Sequence, residues 1–84
     1  MGDGTDFKSV DVRLAALLVE EMEITGESML KMTHEEIAHH LGTAREVITR
    51  MLKYFQKEQL VSLSRGSIEI IDEDRLYELA KDSR

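Results

Sequence analysis

Arg45, Glu46, Thr49, Arg50 and Lys53 would share one side of a helix running through them, because each residue advances about 100° around the axis. Ile48, Met51, Leu52 and Phe55 would share the other side. Arginine offers two parallel N–H donors that match O6 and N7 of guanine, and a glutamate carboxylate accepts from the N4 amino group of cytosine. Arg45, Glu46 and Arg50, with Thr49 among them, therefore suit the base edges of a G·C-containing site. Lys53 suits a phosphate, which positions a protein without reporting sequence. An ordinary amphipathic surface helix sorts its side chains the same way. Two arginines close to the helix N-terminus, the end that enters a groove in DNA-reading helices, set this one apart.

Other chemistry finds less support. His34 and His39 are separated by Glu-Glu-Ile-Ala, one residue more than the i, i+4 spacing that puts two zinc ligands on one helix face. No metal site is expected. There is no cysteine, which excludes disulfides and thiolate nucleophiles and fits a reducing cytoplasm. No serine or threonine has a convincing base partner, and no glycine-rich phosphate loop is present. The residues point to no enzyme and to no cofactor in this domain.

Those side chains must be held by the elements around them. Two Thr-x-x-Glu patterns, Thr33 to Glu36 and Thr43 to Glu46, read as capping boxes that would start two short helices ten residues apart. Between them, Gly42 suits a sharp turn needing positive φ, and Ala38 allows two helices to cross closely. Ile37, Leu41, Ile48 and Met51 would fill the angle. This is a helix-turn-helix over about 34–57, its second helix running to about Glu58. Upstream, Ser9 reads as the cap of a helix carrying Val10, Leu14, Leu17, Leu18 and Met22, stopped near Gly26. Met29, Leu30 and Met32 form a short apolar stretch that reads as a strand. Downstream, Leu60–Leu63 and Ser67–Ile71 read as a hairpin around Ser64-Arg65-Gly66, giving a wing over about 60–71. Asp72 caps a last helix with Leu76, Leu79 and Ala80. The expected fold is mostly α with a small β-hairpin: a winged helix-turn-helix with a three-helix core, a wing and a C-terminal helix. Residues 1–6 read as a flexible lead-in and 7–84 as the domain.

The net charge of −6 over 84 residues is unusual for a nucleic-acid partner. Its distribution is informative: residues 33–57 carry +1, against −4 for 1–32 and −3 for 58–84. The acidic ends read as solvated surface and predict weak affinity, since they repel phosphates. The longest apolar run, Leu14 to Val19, is too short to span a membrane, and the chain opens on no export signal, so a soluble cytoplasmic protein is expected.

The run from Met32 to Lys53, with its Arg45-Glu46-x-x-x-Arg50 core, resembles the helix-turn-helix of the Crp/Fnr family of bacterial transcription regulators. Phe55 to Val61 and Arg65 to Ile68 resemble that family's helix end and wing, and Arg13-Leu14-Ala15 its preceding helix. The resemblance extends from about Phe7 onward and implies sequence-specific binding of double-stranded DNA by a recognition helix over about Ala44–Lys57. It implies base contacts from Arg45, Glu46 and Arg50, with Thr49 nearby, and a phosphate contact from Thr43. Thr33 and His34 at the start of the first motif helix, Lys53 and Lys57 on the second, and Ser64 and Arg65 in the wing complete the candidate phosphate contacts. Three departures stand out. Gln59 replaces a frequent glycine, Thr49 replaces a frequent serine or glycine, and the family's sensory β-roll and long dimerisation helix are absent. The chain is therefore expected to be the C-terminal effector part of a homodimeric regulator and monomeric by itself, with RNA polymerase as a further partner of that role. The competing reading is a winged helix that contacts protein and not DNA.

Overall fold

The computed structural model describes residues 7–81; the lead-in expected over residues 1–6 lies outside them. The elements run α1 (Phe7–Thr25), β1 (Met29–Leu30), α2 (His34–Leu41), α3 (Arg45–Lys57), β2 (Val61–Ser64), β3 (Ser67–Ile70) and α4 (Glu73–Lys81). Four helices accompany a three-stranded antiparallel sheet in the order β1-β3-β2, with Leu30 and Leu63 both paired to Ile68. Among the described residues no helix is long and apolar enough to cross a membrane.

α1 supplies the centre of the core. Leu14, Leu17 and Leu18 are buried as the helical spacing predicts, and so are Val12, Ala15 and Val19, because α1 is covered on several sides. Ile37, Ala38, Ile48, Leu52, Phe55, Leu60, Val61, Ile68 and Leu76 close around it. Burial of this apolar surface is the main stabilising term. Met51 is only partly buried, at the margin of the cluster.

The helix ends show how the sequence stops each segment. Gly26, at φ 73°, ends α1 with its N–H on the Met22 carbonyl. At the end of α2, Gly42 has φ 68° and donates to the His39 carbonyl, while Thr43 donates to that of Ala38. This paired pattern is a Schellman stop, and left-handed φ favours glycine there. α3 ends the same way: Gln59 donates to the Gln56 carbonyl and Leu60 to that of Phe55. The residue in the left-handed position is now Gln59, at φ 63°. The buried pair Phe55 and Leu60 lies across the stop and holds it there. Gln59→Gly should remove the Cβ strain and raise stability by up to about 1 kcal/mol, roughly 4–8 °C in melting temperature. A thermal melt checks this, and a lower melting point would contradict it.

Three local expectations are corrected. The start of α1 expected at Ser9 falls inside the helix, whose backbone already includes Phe7. Thr43 does not cap α3: Ala44 takes that position and no side chain caps the helix. The reason is the preceding turn, in which the Thr43 backbone is committed to the Schellman stop and the helix starts one residue later. α3 therefore begins at Arg45, with Ala44 as its N-cap, within the expected bounds of about 44–57. The wing turn is tighter than expected, since Ser64 pairs with Ser67 and only Arg65 and Gly66 lie between the strands. The positive φ of 72° at Gly66, the second of the two, is where a type II turn places it. The first capping box forms as expected. The Thr33 hydroxyl accepts from the Glu36 N–H at 3.1 Å, and the Glu36 carboxylate accepts from the Thr33 N–H at 3.0 Å. Asp72 likewise caps α4 by accepting from the Arg75 N–H at 3.1 Å.

Candidate nucleic-acid interface

The polar side of α3 stands in solvent because its opposite side is fixed. Ile48, Leu52 and Phe55 are fully buried, which leaves Arg45, Glu46, Arg50 and Lys53 exposed. Ala38 on α2 is buried in the same core cluster as Ile48 of α3. Arg45, Glu46, Thr49 and Arg50 line one shallow groove of about 390 Å3. All four candidate base contacts are thus side by side.

A second concavity, of about 410 Å3, adjoins the first through Arg45. It is lined by Thr33 and His34 from the start of α2 and by Ser64, Arg65 and Gly66 from the wing turn. Four candidate phosphate contacts are therefore brought from two distant stretches of sequence to the N-terminal end of α3. Lys53 is exposed and lines neither concavity, but its charge acts on His34. Thr43 is half-buried and Lys57 is exposed on the last turn of α3, and neither lines these concavities.

His34 is bound more closely to α3 than the spacing suggested. Its Nδ1 lies 3.0 Å from the Thr49 hydroxyl, within one hydrogen bond. Burial lowers the pKa of the ring below the usual 6.5, and the positive charges of Arg45 and Lys53 lower it further. The imidazole is accordingly neutral at pH 7, with one ring nitrogen a donor and the other an acceptor. His39 is exposed. Among the described residues no three His, Asp or Glu side chains are grouped to hold a metal ion.

Three side chains position this surface in roles that sequence reasoning did not assign. The Gln56 amide oxygen accepts from the Leu63 N–H at 2.9 Å, joining α3 directly to the wing. Arg13 of α1 donates to the Leu41 carbonyl at 2.8 Å, satisfying the end of α2. Arg75 of α4 donates to the Glu58 carbonyl at 3.0 Å and lies 3.4 Å from the Glu58 carboxylate, fastening the end of α3. The ion pair itself is solvent-exposed and adds little, whereas the hydrogen bond satisfies an orphan carbonyl. Each contact joins two different elements, between residues 28, 17 and 7 apart in sequence, and no local pattern announces such pairings.

Comparison with known proteins agrees with this geometry. Residues 12–79 match the model of the Crp-like helix-turn-helix domain. The transcriptional regulator SdrP of Thermus thermophilus is 33% identical over 75 residues, covering 82% of this chain and 37% of its own. A solved structure from Eubacterium rectale, assigned to the Crp/Fnr regulators, is 58% identical, with a TM-score of 0.84 over 86% of this chain and 33% of that one. The catabolite activator protein of Thermus thermophilus is 27% identical, with a TM-score of 0.85 over 93% of this chain and 37% of that one. The chain thus spans about a third of the length of these relatives. With its winged helix-turn-helix fold, it belongs to the Crp-like helix-turn-helix family, the DNA-binding domain of Crp/Fnr transcription regulators.

Proposed function

We propose that this domain binds duplex DNA sequence-specifically, with α3 in the major groove and the start of α2 and the wing on flanking phosphates. One observation carries the reading: Arg45, Glu46, Thr49 and Arg50 line a groove continuous with the concavity of Thr33, His34, Ser64 and Arg65. In it Arg45, Glu46 and Arg50 read base edges together with Thr49, while Thr33, His34, Thr43, Lys53, Lys57, Ser64 and Arg65 bind the backbone. The domain acts in the cytoplasm as the effector part of a regulator that dimerises through a region outside this chain. RNA polymerase is a candidate second partner for that role.

Binding by the isolated domain should be weak and should fall steeply with salt. It covers one half-site, and its net charge of −6 opposes the phosphates. Titration of a labelled duplex at several salt concentrations tests this. The expected result is a linear fall of log affinity against log salt, with sedimentation showing a monomer at micromolar concentration. Nanomolar, salt-insensitive binding would contradict the account. No binding at any salt concentration would make a protein-contact role the better reading.

A further inference from the structure

Among the described residues, the pair His34 and Thr49 forms the only side chain–side chain hydrogen bond between α2 and α3. It joins a residue of the phosphate-side concavity to one of the base-side groove. Threonine in a helix divides between two rotamers, because its hydroxyl can turn back onto a carbonyl of the preceding turn. The Thr49 hydroxyl is taken by His34 at 3.0 Å, which selects one of them. The methyl group, the other branch at Cβ, takes no part in that contact. His34 Nε2 has no partner among the described residues. If Nε2–H donates to a phosphate, Nδ1 of the neutral ring is an acceptor, and the Thr49 hydroxyl must donate to it.

We infer that His34 is a positioning residue for base readout: it holds the Thr49 hydroxyl, so that Thr49 meets the DNA with its methyl group and favours thymine through the thymine C5-methyl. This rests on the DNA-binding reading above. A threonine methyl against the C5-methyl is an established apolar contact in the major groove. The hydroxyl, already paired, loses nothing when the groove closes over it. His34 thereby makes one base contact depend on a phosphate contact from the neighbouring helix.

The test compares a site selected from random duplexes with the same site carrying uracil for thymine, which removes only the methyl. The wild-type chain should prefer thymine at one position about fourfold, the worth of one buried methyl-sized group. Thr49→Ser should abolish that ratio, and Thr49→Val should retain it. His34→Ala should also abolish it, with no further loss in the His34→Ala, Thr49→Ser double variant. His34→Asn, whose amide can replace Nδ1, should restore part of it. If His34→Ala weakens both duplexes equally and leaves the ratio intact, His34 contacts phosphate only and the inference fails while DNA binding stands. If Thr49→Val loses the ratio and Thr49→Ser keeps it, the hydroxyl does the reading and the inference fails. Failure of the wild-type chain to bind any duplex would overturn both readings. In the free domain, Thr49→Val should change the 15N shifts of the His34 ring with little change in melting temperature, and unchanged shifts would contradict the hydrogen bond itself.

Discussion

Arg50→Ala should cost about 1–3 kcal/mol of affinity for the preferred site and relax base preference at one base pair. Lys53→Ala should instead weaken binding to all sequences alike and flatten the salt slope by about one unit. The contrast follows from placement. Arg50 is exposed in the groove lined by Arg45, Glu46 and Thr49, where the proposed function puts a bidentate donor against a guanine edge. Lys53 is exposed on α3 with its charge acting on His34, and the proposed function gives it a phosphate to neutralise. Neither side chain supports the core, so each variant should melt within about 0.5 kcal/mol of the parent stability. Site selection on the parent and both variants reads the difference. If Arg50→Ala kept the parental base preference while Lys53→Ala changed it, the roles of the two residues would be reversed.

Ile48→Ala should have the largest effect on the fold itself. Ile48 is fully buried on the apolar side of α3, in one cluster with Ile37, Leu41 and Leu52. Truncating such a side chain typically costs 2–5 kcal/mol, by lost burial and by the cavity left behind. A domain of this size has about 5–15 kcal/mol in all, so the variant should unfold at much lower temperature or urea concentration. Its DNA binding should fall because less protein is folded. The fraction still folded should keep the parental base preference, since no groove-facing side chain has changed. A parental melting curve would show that α3 is not held by this face.

Much of the architecture was legible because it depends on local signals. Thr33 with Glu36, Gly26, Gly42 and Asp72 each mark a helix boundary through a backbone requirement that one or two side chains satisfy. The apolar spacing of Leu14, Leu17 and Leu18 and of Ile48, Leu52 and Phe55 likewise follows directly from helix geometry. The polar face of α3 was readable for the same reason: the apolar face determines it. What escaped was nonlocal or contested. Thr43 had the residue type for a cap, yet the Schellman stop at Gly42 already used its backbone, and Ala44 took the capping position. The bond between His34 and Thr49 crosses between two helices, so its existence depends on their crossing angle, which no sequence pattern specifies. The same holds for Gln56, which reaches the wing only because Gln59 and Leu60 turn the chain back sharply. The strain at Gln59 was foreseeable only as a departure from glycine at that position.

The central claim is that α3 reads base edges from the major groove, and 7-deazaguanine tests it most directly. This base pairs normally but carries a carbon where guanine has N7, so it removes a major-groove acceptor and leaves the backbone and minor groove unchanged. Affinity should be measured for a selected half-site in which the guanine assigned to Arg50 is replaced. The account predicts a loss on the order of tenfold for the parent chain, within the 1–3 kcal/mol of a bidentate arginine–guanine pair. It also predicts that Arg50→Ala, which has already lost that pair, binds the two duplexes equally. Equal binding of both duplexes by the parent chain, at every guanine of the selected site, would contradict it.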